Sequence, residues 1–171
     1  MPNHETHREN LDQLEANFHY DTSYLRTILN KHPEAYGAFA DFMPLSRYRR
    51  DLPLEAFCVA KLTAMKVADC SACLALNIKM AIAAGLSETL VRAVVEDGEL
   101  ENDLERVRTF AERVASHQPV GEAESEALRE YYGTTAWIEL AMAIASVGVY
   151  PLIKRAMGLA TSCANMALVY S

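Results

Sequence analysis

The stretch 53–87 decides the fold, and it reads PLEAFCVAKLTAMKVADCSACLALNIKMAIAAGLS. Proline is favoured in the first turn of a helix, so Pro53 predicts that a helix begins there. Apolar side chains fall on nearly every face of 54–68, which predicts a helix buried almost all round. Asp69 interrupts this run, and we expect it to cap a second apolar helix over 70–84.

The rest of the chain continues the helical pattern. Apolar residues recur three and four positions apart, and no segment alternates between apolar and polar residues as a strand would. Residues 1–9 are polar and predict a loose N-terminal arm. We therefore predict an all-α bundle in a single domain over 10–171, with its core motif region at 53–97. After a linker at 119–121, the last three helices are expected at about 122–132, 135–147 and 151–158.

The composition excludes several classes of protein. The chain has 171 residues, is 51% hydrophobic and contains only 7 Gly and 6 Pro, as expected of an ordinary helical globular domain. A net charge of −7 argues against binding to nucleic acid or an anionic membrane. No apolar run reaches the roughly 20 residues of a membrane span, and the N-terminus lacks the pattern of a signal peptide. We expect a cytoplasmic protein.

The chemical centre predicted by the sequence is the pair Cys70 and Cys73. Residues three apart share one face of a helix, so the two sulfurs can meet in a disulfide. The positive end of a helix favours the thiolate, which is the nucleophilic form of cysteine. A redox role is favoured over two buried structural cysteines. Metal binding is the weakest alternative, because zinc would need a second pair of ligands. No metal or cofactor is expected.

The order of these features resembles the carboxymuconolactone decarboxylase family. The features are a buried helix, a break, Cys-x-x-Cys, an apolar helix ending in AAGLS at 83–87, and a valine-rich helix. The later segments YYG at 131–133 and WIEL at 137–140 are also similar. The cysteine pair indicates the alkylhydroperoxidase AhpD-like branch. This resemblance implies an AhpD-like helical bundle that assembles as a homo-oligomer and reduces peroxides or exchanges disulfides.

Two positions depart from the pattern of that branch. Its motif reads Glu-x11-Cys-x2-Cys-x3-His, in which the Glu and the His relay a proton away from the thiol. Here the Glu position is Cys58 and the His position is Asn77. Asn77 can form a hydrogen bond with a thiolate or a water, but an amide takes up no proton at neutral pH. Cys58 is either a small core residue or a third thiol that faces the pair.

The sequence therefore predicts a thiol-dependent peroxidase or disulfide oxidoreductase of low activity. Its candidate catalytic residues are Cys70, Cys73, Asn77 and Cys58. Its substrate would be a peroxide or a disulfide, and a thiol of unknown identity would supply the electrons. Which cysteine attacks is left open. The alternatives are a non-catalytic oligomeric protein of the same fold and a lyase of the carboxymuconolactone decarboxylase type.

Overall fold

The computed structural model describes residues 4–161, and in this part of the chain it contains helices and turns but no strand. The predicted all-α fold is confirmed. The helices form one compact domain, and a 3-10 turn at Met43–Arg47 joins the third helix to the fourth. The α-helices are α1 (His4–Phe18), α2 (Ser23–Lys31), α3 (Pro33–Phe42), α4 (Leu54–Val67), α5 (Ser71–Ala83), α6 (Glu88–Val95), α7 (Asn102–Ala115), α8 (Glu122–Tyr132), α9 (Thr134–Val147) and α10 (Val149–Ala156).

The N-terminal segment differs from the prediction. Residues 4–9, expected to belong to a loose arm over 1–9, form the first turns of α1. The prediction is wrong for these residues because a helix can be held by very few buried side chains. In α1 only His7 and Leu11 are buried, one turn apart on the same face. The ring of His7 also packs edge-on against Tyr36 of α3, with their centroids 5.0 Å apart.

The main core surrounds α4. Every residue of 56–65 is buried in this helix, as its nearly uniform apolar sequence predicted. Helices α5, α6, α7 and α9 all pack against α4. The boundaries agree with the sequence, because Pro53 precedes the first helical residue and α4 ends at Val67. This arrangement places the start of α5 directly against the main core.

A second, smaller core lies among the N-terminal helices. It joins buried side chains of α1, α2 and α3 to Tyr20 in the turn before α2. Ala72 and Leu76 of α5 pack against this second core, and so does Ile153 of α10. Helix α5 is therefore in contact with both cores. The buried hydrophobic members of the second core are Leu11, Tyr20, Tyr24, Leu25, Leu29 and Tyr36.

The continuous stretch formed by α9 and α10, Thr134–Ala156, is long and apolar enough to cross a membrane. Its most apolar window has a mean hydropathy of 1.7, and 44% of that window is buried inside the domain. Core helices of soluble proteins pass the same test of length and composition. The stretch also includes Glu139, whose side chain is buried and hydrogen-bonded to the loop before α4.

Candidate functional site

The cysteine pair lies at the start of α5, and the predicted disulfide between Cys70 and Cys73 is present. Their Cα atoms are 5.3 Å apart, within the usual range for a disulfide. Cys73 lies in the first turn of α5, whereas Cys70 occupies the N-cap position in an extended conformation. Asp69 was expected at that cap, but it adopts a left-handed φ of 48° in the turn before it. Asp tolerates this region better than most residues.

The chain that follows α10 holds the start of α5 in place. The backbone N–H of Ser71 donates to the carbonyl oxygen of Thr161 at 2.9 Å, and the hydroxyls of the two residues are 2.6 Å apart. Arg155 donates to the carbonyl oxygen of Ala68 at 2.5 Å. One of the free N–H groups at the helix start is thus already used. Less of the positive helix end remains to stabilise a thiolate at Cys70 or Cys73.

A cavity of about 640 Å³ lies between the second core and the face of α5 that carries Cys73. Cys73 contributes to its wall, whereas Cys70 is completely buried and is not among the described wall residues. Both cysteines are buried members of the main core, and Cys73 is itself only 2% exposed. Cys73 is the member of the pair that belongs to the cavity wall.

Asn77 lies beside Cys73 in the wall of this cavity. Its side-chain N–H donates to the carbonyl oxygen of Cys73, one helical turn earlier, at 2.9 Å. This bond holds the amide against its own helix. The structure thus brings Asn77 to the cysteine pair, as the spacing predicted, but in a position that offers no proton acceptor stronger than an amide oxygen.

Cys58 is buried in α4 within the main core and is not among the described wall residues of the cavity. Burial raises the pKa of its thiol to about 11, although the nearby charges of Lys61 and Arg49 act in the opposite direction. At neutral pH this cysteine is therefore a thiol. Its surroundings are those of an unreactive core cysteine.

Two polar residues of the cavity wall were not predicted from the sequence, Lys61 and Tyr24. Lys61 is buried, donates to the carbonyl oxygen of Ser46 at 2.9 Å and lies 4.9 Å from the centre of the Phe57 ring. Burial lowers the pKa of its ammonium group to about 8. The signal available in the sequence was a lysine in the middle of the apolar stretch 56–65 of α4. Tyr24 carried no comparable signal, because it fits the apolar pattern of α2.

Metal binding finds no support within residues 4–161. No three side chains of the His, Cys, Asp or Glu type converge there in a way that could hold a metal ion. The chemistry of the site must therefore be argued from its sulfurs, its amine and its phenols. These are groups for nucleophilic, redox and hydrogen-bonding roles.

No family model, no characterised protein and no solved structure matches the chain. The class of protein is thus defined by its own geometry. It is an all-α domain with a Cys-x-x-Cys disulfide at the start of a core helix and a ligand-sized cavity against the second cysteine.

Proposed function

We propose that the protein is a thiol-dependent oxidoreductase of the AhpD-like kind that reduces peroxides or exchanges disulfides through Cys70 and Cys73. The observation that carries this proposal is the disulfide itself, with Cys73 in the wall of a cavity. A structural disulfide between residues three apart closes a very short loop, and short loops contribute little to stability. A redox role, in which the disulfide is reduced and formed again, explains the position of the pair at a cavity better than a structural role does.

In the proposed reaction, Cys73 attacks, because it belongs to the cavity wall, and Cys70 resolves. The thiolate of Cys73 attacks the terminal oxygen of a hydroperoxide, the O–O bond breaks, and an alcohol leaves after taking up a proton. Cys73 becomes a sulfenic acid. The thiol of Cys70 then attacks this sulfur, water leaves, and the disulfide forms. An external dithiol reduces the disulfide by exchange and is itself oxidised.

The reaction is expected to be slow. Only the thiolate attacks a peroxide, and an ordinary cysteine is mostly thiol at pH 7. Asn77 cannot remove the proton, and the N–H of Ser71 is already bonded to Thr161. A well-placed general base typically contributes a factor of about 10²–10⁴ in rate. We also propose a cytoplasmic location, where thiol reductants can recycle the pair.

One alternative is supported by a specific observation. Asn77 is bound to the backbone and Cys70 is fully buried, as expected of a protein that keeps the fold without its catalysis. In that case the pair would resist reduction under native conditions. The two functions therefore differ in how readily the disulfide opens.

Peroxide consumption tests the proposal, with cumene hydroperoxide as substrate and dithiothreitol as reductant. We expect slow turnover by the wild type and none by Cys73→Ser. Cys70→Ser, when treated with peroxide in the absence of dithiothreitol, should react once and keep a sulfenic acid on Cys73. Cys58→Ala is the control and should keep the wild-type rate. Activity that survives Cys73→Ser would overturn the proposal.

The state of the pair can be followed in one tryptic peptide. Cleavage after Lys66 and Lys79 releases 67–79, which contains both cysteines. Native protein treated with dithiothreitol and then alkylated should carry two labels in this peptide, and peroxide should remove both. A peptide that stays unlabelled after native reduction would favour the structural alternative.

A further inference from the structure

The cavity beside Cys73 contains a buried positive charge without a negative partner. Among the charged side chains of its described wall, Asp41 and Arg47 are exposed, and only Lys61 is buried. Within residues 4–161, the hydrogen bond from Lys61 goes to a backbone carbonyl oxygen and not to a carboxylate. An ammonium group has three donors, so two are left for another acceptor. Burying such a charge is costly unless it is paired.

The hydroxyl of Tyr24 is a second buried polar group in the same wall, and the described side chain that interacts with it is that of Tyr20. The side chain is 1% exposed, and its oxygen makes no hydrogen bond of ordinary geometry in the described part of the chain. The amine nitrogen of Lys154 lies 4.9 Å from the centre of the Tyr24 ring. Buried hydroxyls are nearly always hydrogen-bonded in folded proteins. This hydroxyl and Lys61 both point to a polar ligand.

The hydroxyl of Tyr150 extends the polar part of the wall next to Lys61. It lies 3.0 Å from the hydroxyl of Ser46, whose backbone carbonyl oxygen accepts the bond from Lys61. The apolar part of the wall comes from α1, α2 and α5 and from α3 with the 3-10 turn after it. Helix α1 also contributes polar side chains, which are His7, Asn10, Gln13 and Asn17. A volume of about 640 Å³ is typical of sites that hold organic ligands. The apolar wall residues include Leu11, Leu14, Phe18, Leu25, Leu76 and Met80.

We propose that this cavity binds an amphipathic organic carboxylate, with the carboxylate on Lys61 and the apolar body along the side chains of α1, α2 and α5. The ligand supplies the negative charge that Lys61 lacks. The apolar chain covers surface that would otherwise face water. If the ligand also carries a hydroperoxide, it is the substrate of Cys73, and this extension rests on the proposed function.

Binding is tested by isothermal titration calorimetry of the oxidised protein with octanoate, octylamine and 1-octanol. We expect octanoate to bind at least tenfold more tightly than octylamine, which has the same chain and the opposite charge. Lys61→Met should weaken octanoate binding tenfold or more and leave 1-octanol binding unchanged. The matched control is Lys66→Met, the same substitution on the same helix at a residue that pairs with Asp97. It should bind octanoate like the wild type.

Two results would overturn this inference. One is octanoate binding no tighter than octylamine, and the other is an equal affinity of Lys61→Met and wild type for octanoate. Cys73→Ser separates the inference from the proposed function, because it should bind octanoate normally. Octanoate binding through Lys61 without any peroxide reduction would support the site and refute the redox function. Peroxide reduction that needs both cysteines, without octanoate binding, would support the redox function and refute the carboxylate site.

Discussion

The carboxylate of Glu139 accepts a hydrogen bond from the backbone N–H of Leu52 at 2.9 Å, across a sequence separation of 87 residues. The same carboxylate accepts the N–H groups of Arg50 and Asp51, each at 3.0 Å. Burial opposes its ionisation, but these three donors outweigh burial and hold the pKa of Glu139 below its ordinary value. Helix α9 thereby fixes the loop that leads into α4.

Replacing this carboxylate should destabilise the fold. In Glu139→Gln an amide N–H would face backbone donors, so we expect a loss of about 1–3 kcal/mol in the free energy of unfolding. Urea unfolding at pH 7 measures it. Glu112→Gln, at an exposed position of α7, is the control and should change stability very little. Equal losses in the two variants would show that Glu139 does not hold the loop.

The effect of Glu139 should also depend on pH. Because the folded pKa lies below the ordinary value of 4.5, the carboxylate contributes fully above about pH 4.5. Its contribution is lost as the pH falls through the folded pKa. The difference in stability between wild type and Glu139→Gln should therefore shrink as the pH is lowered below 4.5. A difference that grows in this range would contradict the assigned direction of the pKa shift.

Lys61 should make stability rise with pH in alkaline solution. Burial lowers its folded pKa to about 8, against 10.5 in the unfolded chain, so the unfolded state binds more protons between these values. Relative to Lys61→Met, the wild type should gain on the order of 1 kcal/mol per pH unit between about pH 8 and 10. Unfolding in urea at several pH values measures this difference. A difference independent of pH would mean that the amine is not desolvated.

Asn77→His should raise the peroxidase rate. The side chain at this position lies in the cavity wall one turn after Cys73, where an imidazole could accept the thiol proton. We expect an increase of about tenfold or more in turnover. This is less than the factor of about 10²–10⁴ of a well-placed general base, because Cys58 still occupies the Glu position of the relay. Asn77→Leu is the control, since it removes the amide without adding a base. If both variants show the same rate, proton removal does not limit the reaction.

Self-association is expected through the exposed side of α9 and α10. Ile138, Met142 and Leu152 lie along it with exposures of 44%, 46% and 61%. We expect a second copy of the chain to cover them, because like apolar surfaces can pair about a two-fold axis. Sedimentation should then show a species heavier than the 19.0 kDa chain, and Met142→Glu should dissociate it. Tyr48→Glu, at another exposed apolar side chain, should not. A monomeric wild type at micromolar concentration would contradict this.

The sequence predicted the fold well where local chemistry decides it. Pro53 precedes α4 as expected, and Gly85, with a φ of 102°, follows α5 in a conformation that favours glycine. The start of α5 was misplaced by one residue, because Asp69 takes a left-handed turn that a capping pattern does not reveal. Helix α1 was missed because its composition is polar and its burial depends on contacts with other helices.

The sequence predicted only those residues of the site that are close together in one helical segment. Cys70, Cys73 and Asn77 are neighbours in sequence, so helical spacing alone brings them together. Lys61 and Tyr24 reach the cavity from other helices, and their positions in its wall are set by tertiary packing that no local pattern encodes. The charge of Lys61 within the apolar stretch 56–65 remains the one local signal that could have been followed.

The two cores give the protein separate control over its reaction and its ligand. The main core holds the cysteine pair, whereas α1 and α2 supply much of the opposite wall of the cavity. Substitutions at wall positions such as Leu14 or Phe18 would reshape the space for a ligand without disturbing the packing around Cys70. In evolution or in the laboratory, the shape of the cavity can therefore change while the surroundings of Cys70 in the main core stay the same.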